Sequence, residues 1–436
     1  MPTPVASRPP GLLAQLRALS VAQRHTLVAC LLGWTLDAFD FFILVFAVKS
    51  IAEDFHTQVT DVTLAISLTL ALRPVGALIF GWAADRYGRH PTLMVNIIAY
   101  SVLELASAGA PSLPVLIGLR ALYGIAMGGE WGVGAALALE SAPTESRGAI
   151  SGILQQGYPL GYLLASILFG LFFSVLGWRG MFVVGALPAG VVLYLRAKVP
   201  ESPTWRKDAT KPGDLAKALR QHLPRFAYLV ILMAAFNFFS HGTQDIYPTF
   251  LQKQRGLTPH EVGAVAVTYN LGAILGGLTF GPLSERIGRR RAIAGAALLA
   301  LPMIPLWVLA PSPWLLAAGA FLLQVAVQGA WGIVPAHLNE LSPASVRGTF
   351  PGLAYQLGNL LAAATATIQS RIADASGGNY AVALGGMTAV VAVSLATVAI
   401  LGPEAKGVTF KPASLPEPGS DNPLTGSRGM FKNTPP

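Results

Sequence analysis

Residues 81–90 read Gly81-Trp82-Ala83-Ala84-Asp85-Arg86-Tyr87-Gly88-Arg89-His90, and residues 281–290 read Gly281-Pro282-Leu283-Ser284-Glu285-Arg286-Ile287-Gly288-Arg289-Arg290. The two stretches share a glycine, an acid, an arginine, a second glycine and a second arginine at an offset of 200 residues. A further block keeps the same offset. Gly129, Trp131, Gly132, Ala136, Glu140, Pro143, Arg147, Gly148, Gly152 and Gln156 recur as Gly329, Trp331, Gly332, Ala336, Glu340, Pro343, Arg347, Gly348, Gly352 and Gln356. Ten identities over positions 128 to 156, several of them Trp or charged, mark a duplication rather than a shared composition.

Outward from these loops lie apolar runs long enough to cross a bilayer, which takes about 20 residues per helix. Twelve are legible, at about 27–48, 62–84, 92–110, 113–137, 149–173, 180–197, 226–250, 261–283, 292–309, 313–338, 348–371 and 381–402. Composition agrees: 53% of residues are hydrophobic and 12% are charged, against about 25% charged in soluble domains. The single Cys30 excludes an internal disulfide framework and a cysteine-cluster metal site. The net charge of +9 is scattered between apolar runs, so a nucleic-acid partner is not expected.

Lys and Arg accumulate in cytoplasmic loops. With the N-terminus inside, 23 of the 30 basic residues fall on the cytoplasmic side and five on the other, while Arg73 and Arg120 lie within spans. Both termini are therefore expected in the cytoplasm. The expected organisation is a tail at 1–25, a six-helix bundle at 26–197, a central cytoplasmic loop at 198–224, a second bundle at 225–402 and a disordered tail at 403–436.

A G-x-x-x-[DE]-R-x-G-R loop, present once in each six-helix half, resembles the major facilitator superfamily over essentially the whole chain. That resemblance implies an all-α membrane fold of twelve helices in two pseudo-symmetric bundles, with a substrate site near the midplane between them. It also implies a cytoplasmic gate built from Gly81, Asp85, Arg86, Arg89, Glu140 and Arg147 and their counterparts Gly281, Glu285, Arg286, Arg289, Glu340 and Arg347. Charge-assisted contacts among these groups can latch the halves together. Plain topology anchoring by the arginines is compatible with that role.

Ionisable residues within spans cost at least ~2.5 kcal/mol near the bilayer centre and so mark functional candidates. Asp37 and Asp40 share one face of the first span, and by depth Asp37 is level with Arg73 while Asp40 lies nearer Arg120. A buried carboxylate beside a cation can act as a proton switch, or the pairs can simply brace helices. In the seventh span Asn237, Ser240, His241 and Gln244 form a polar stripe, flanked by Asp245. Tyr355, Gln356 and Asn359 in the eleventh span, Gln324, Gln328 and Trp331 in the tenth and Gln155, Tyr158 and Tyr162 in the fifth are cavity candidates or interhelical contacts.

The stripe reads N-x-x-S-H-x-[ST]-Q-D-x-x-x-T, matched by Asn237, Ser240, His241, Thr243, Gln244, Asp245 and Thr249. It is similar to the signature of lactate and pyruvate proton symporters of the yeast lactate permease type, in the sialate:proton symporter branch. The resemblance implies symport of a small monocarboxylate with protons, no cofactor, no enzymatic activity and a multi-pass protein of a bacterial inner membrane acting as a monomer. The substrate carboxylate needs a desolvated cation, so Arg73 and Arg120 are its expected partners, with Arg73 preferred for its mid-depth position. Asn237, Ser240, His241, Gln244, Gln328, Tyr355, Gln356 and Asn359 complete the expected binding set. Asp37 or Asp40 and the His241–Asp245 pair are the expected proton carriers. The alternatives are a transporter of a larger organic acid, sialic or aromatic, and a non-transporting sensor of the same fold.

Overall fold

The computed structural model describes residues 12–57, 59–186, 189–206, 213–404 and 406–410. Parts of the expected N-terminal tail, central loop and C-terminal tail lie outside these residues. Helices account for all twelve expected spans. The first four are single helices, Val21–Asp54, Val59–Tyr87, Arg89–Ala108 and Leu113–Glu140. Among the described residues, eight helical stretches are by length and composition long and apolar enough to cross a membrane.

Several later spans are broken where the sequence interrupts the helical hydrogen-bond ladder. The fifth runs through Arg147–Leu154, passes the Gln155–Gln156 turn and continues from Gly157. That second helix turns at Gly177, whose φ of +59° requires a residue without a Cβ, and the sixth span follows. The seventh comprises Leu223–Gln244 and Tyr247–Lys253, with Pro248 entering the second helix where its missing N–H costs nothing. The eighth, Pro259–Ile287, opens on a Thr258/Glu261 capping box. The tenth breaks after Trp331, and the eleventh after Ala362.

The first six spans pack mainly with one another, as do the last six; the second packs on the fourth in one half and the eighth on the tenth in the other. Apolar side chains such as Leu171, Val175, Val390 and Leu401 remain exposed on the outside, the surface a lipid phase would cover. The halves meet along the fifth and eighth spans and along the second and eleventh. The expected tail from 403 begins as an ordered segment: Glu404 hydrogen-bonds to the bundle, and Phe410 is buried.

Candidate functional site

The duplicated loops meet at one end of the bundle, called here the basic end. Asp85, in the last turn of the second span, accepts hydrogen bonds from Gly348 N at 2.8 Å, Thr349 N at 3.0 Å and Thr349 Oγ1 at 2.6 Å in the other half. These donors precede the helix Phe350–Ala362, so a carboxylate sits at a helix N-terminus, where the backbone dipole favours it. Arg89 holds the same carboxylate at 3.0 Å and Glu140 at 3.2 Å. Arg347 reaches Glu140 from the other half at 3.5 Å.

The second half repeats the device. Glu285 accepts from the Gly148 backbone across the interface, and Arg289 holds Glu285 at 3.0 Å and Glu340 at 2.9 Å. Symmetry fails at two points. Ala149 stands where Thr349 offers its hydroxyl, and Arg147 bonds to the Leu139 and Val408 carbonyls rather than to an acid. The Phe410 ring lies 3.4 Å from the Arg147 guanidinium and 4.0 Å from that of Arg347, a bridge between the halves.

The motif glycines have a steric cause. A Cβ on Gly81 would stand 2.6 Å from Thr349 Cα, and one on Gly281 would stand 2.4 Å from Gly148 O. Gly88 and Gly288 adopt φ of +113° and +95° at the turn into the next span. Arg86 and Arg286 sit at the rim, half-buried and exposed respectively. Sequence reasoning missed Glu201 and Glu404, whose carboxylates accept the N–H groups of Arg89 and His90 and of Arg289 and Arg290. Both follow a proline directly after the last span of their half, a repeated signal visible in the sequence.

Above this closed end lies a cavity between the halves. Arg73, Asn237, Ser240, His241, Gln328, Tyr355 and Asn359 line it, with Gln155 and Tyr158 also present. Trp34, Trp131, Trp331 and Tyr355 crowd its basic-end side: Trp131 lies 4.7 Å from Tyr355 across the interface, Trp331 5.8 Å from the same ring, and Trp34 6.4 Å from Tyr158. Leu70, His241 and Asn359 also line a second chamber that includes Ser67, Asp245 and Ala363, nearer the opposite end. His241 Nδ1 is 3.1 Å from Asp245 Oδ1, so this pair stands where the two chambers join.

Arg73 is 5% exposed, and its Nε and Nη2 have no hydrogen-bond acceptor. Its nearest counter-charge is Asp37, at 3.7 Å, beyond hydrogen-bonding distance. Asp37 is itself 0% exposed, and with it four more expected residues line neither chamber. Arg120 is fully buried in the first half, bonded to Glu104 and stacked 3.8 Å above the Tyr123 ring. Asp40 is buried beside that cluster, because its face of the first span turns toward the third and sixth spans. Gln244 donates to Ser240, one turn back on its own helix, and to Gln324 of the tenth span, at 3.3 Å each. Gln356 is buried below the cavity lining, 1% exposed. Tyr158 and Trp331, cavity candidates in the sequence, do line it, whereas Leu70 and Met127 were missed, since apolar residues in an apolar helix give no contrast.

A two-fold repeated helical bundle with a central polar cavity, closed at one end by duplicated ion pairs, defines a membrane transporter rather than an enzyme. The chain belongs to the Major Facilitator Superfamily, whose sequence pattern matches residues 30–249 and 230–435. It is 32% identical over 374 residues to a carboxylic acid transporter protein homolog of Saccharomyces cerevisiae, covering 78% of this chain but only 60% of that protein's length. The sialic acid transporter NanX of Escherichia coli is 28% identical, with 89% of this chain and 96% of that protein covered. A cis,cis-muconate transport protein of Acinetobacter baylyi is also 28% identical, over 77% of this chain and 84% of its own length. The proton:xylose symporter XylE superposes with a TM-score of 0.72 at 18% identity, covering 90% of this chain and 98% of its own, which establishes the shared fold.

Proposed function

We propose that the chain is a proton-coupled symporter of small monocarboxylates such as lactate or pyruvate, working by alternating access. The observation that carries this reading is Arg73: a guanidinium in the cavity wall, with donors free for a carboxylate and only a loose internal counter-ion. A bidentate guanidinium–carboxylate contact is among the stronger polar interactions available to a desolvated ligand. Asn237, Ser240, His241, Gln328, Tyr355 and Asn359 stand around it to read a hydroxyl or keto group. The stripe from Asn237 to Thr249, of the lactate and pyruvate symporter type, and a relative named for carboxylic acids support the same substrate class.

Proton coupling belongs to Asp37, which loses or gains its cation as substrate takes Arg73, and to the His241–Asp245 pair at the junction of the chambers. The latched basic end is the cytoplasmic face, following the distribution of Lys and Arg. In this orientation both termini are cytoplasmic, and the protein sits in a bacterial inner membrane as a monomer of two bundles, 26–197 and 225–402. The structure then has its cytoplasmic gate shut. A second reading, transport of a larger organic acid, is favoured by the sialic acid and muconate relatives and by the two joined chambers. Counterflow of labelled lactate in proteoliposomes tests the first reading; exchange driven by sialic acid or muconate and not by lactate would favour the second.

A further inference from the structure

Away from the cavity, the first half contains a second buried charge cluster. Asp40 on the first span, Glu104 on the third and Arg120 on the fourth are each 0% exposed. Arg120 Nη1 donates to Glu104 Oε2, and the guanidinium lies over Tyr123 and 5.5 Å from the Phe182 ring. Glu104 Oε1, Arg120 Nε and Nη2 and both Asp40 oxygens have no hydrogen-bond partner. The two carboxylates converge on Gly185 of the sixth span. A Cβ there would stand 3.1 Å from Asp40 Oδ1 and 3.6 Å from Glu104 Oε1, so only glycine leaves the space between them clear.

Charge counting in this core leaves one carboxylate over. Asp37, Asp40 and Glu104 face two guanidiniums, Arg73 and Arg120, and Arg73 pairs with Asp37. Among the described residues, the other groups turned toward the cluster add no cation: Tyr100 from the third span, Tyr123 from the fourth and Phe182 from the sixth. Glu130, further along the fourth span and also buried, adds a negative charge if anything. An uncompensated buried carboxylate costs several kcal/mol and takes a proton instead. Asp40 and Glu104, two acids around one arginine, are where that proton has both an acceptor and a reason to be held.

We propose that Asp40 and Glu104 share one exchangeable proton against Arg120, and that this pair is a proton-carrying site of the transport cycle separate from the substrate cavity. The proposal deepens the symport reading and rests on it for its role in the cycle. Loading adds one proton from water to the pair, and release returns it to water on the other side, with no bond formed to substrate. Substrate binding at Arg73 communicates with it along the first span, through Asp37 one helical turn from Asp40.

Infrared spectroscopy of the purified full chain in nanodiscs tests the shared proton without any substrate. The wild type is expected to show a protonated-carboxyl carbonyl band at neutral pH. Asp40→Asn and Glu104→Gln are each expected to remove it, because the acid left alone with Arg120 ionises. A band that survives Glu104→Gln, or is absent from the wild type, overturns the sharing. In proteoliposomes, Glu104→Gln is expected to lose lactate accumulation driven by an acid gradient relative to its own counterflow rate, with Glu104→Asp restoring it. Accumulation that follows the gradient as in the wild type overturns the role in the cycle. Absence of lactate transport by the wild type would count against the symport reading, and the infrared result would still decide the shared proton.

Discussion

Asp37 of the first span and Arg73 of the second face each other at 3.7 Å, with side-chain exposures of 0% and 7%, and neither Asp37 oxygen makes a hydrogen bond. The pair is close enough to neutralise charge in a low-dielectric site and too far apart to be geometrically locked. An incoming carboxylate can therefore displace Asp37 from the guanidinium at modest cost, and the displaced acid takes up a proton more readily. Competition for one arginine is the physical link between anion and proton in this account.

Arg73→Lys keeps the charge and loses the planar fork. Loss of one charged hydrogen bond is worth about 1.5–3 kcal/mol, which raises the KM for lactate about 10- to 100-fold. Initial-rate uptake in proteoliposomes at matched protein content measures this, and an unchanged KM would remove Arg73 from the substrate site.

Asp85→Asn removes the charge that receives three donors across the interface. The closed state of the basic end weakens by about 1–3 kcal/mol, and a population opened at that end becomes visible. Spin labels at positions 145 and 345, on the turns that lead into the fifth and eleventh spans, are expected to report a longer-distance component in the variant. The native Cys30 is buried and does not compete for label.

Phe410→Ala leaves Arg147 and Arg347 without the ring that bridges them. The same label pair is expected to shift in the same direction as in Asp85→Asn and by less, since a cation–π contact contributes about 0.5–2 kcal/mol. Phe410→Trp, which retains an aromatic face, is expected to restore the wild-type distribution.

Substrate size is tested by competition. Pyruvate is expected to inhibit labelled lactate uptake, whereas sialic acid and muconate leave it largely intact. Strong inhibition by either larger acid would assign the two chambers to a bigger ligand.

The fold was legible because its signals are repeated: long apolar runs give the spans, and an offset of 200 residues gives the two halves twice over. Asp85 and Arg89 were legible as a gate, but their partners Gly348 and Thr349 lie over 250 positions away, and ordinary residues at a helix start give no sign of what they will face. Arg73 and Arg120 looked equivalent, as two arginines within spans. Depth separated them only in part; the decisive difference is the direction of the helix face, which sends Arg120 to Glu104 and Arg73 to the cavity. Trp331 and Tyr158 were legible as cavity candidates because each shares a helix face with glutamine, whereas Leu70 and Met127 were invisible among apolar neighbours. Phe410 was hidden by its surroundings, a segment rich in Pro, Gly and Ser that reads as a tail.

Lactate-coupled proton entry separates symport from uncoupled entry of the acid. Proteoliposomes carrying a trapped pH dye are given labelled lactate outside, and dye response and label uptake are followed together, with Arg73→Ala vesicles correcting for passive diffusion of lactic acid. Symport is expected to give lumenal acidification in step with lactate entry, and accumulation of lactate when the outside is more acidic. Protein-dependent lactate entry that neither acidifies the lumen nor responds to the gradient would contradict it.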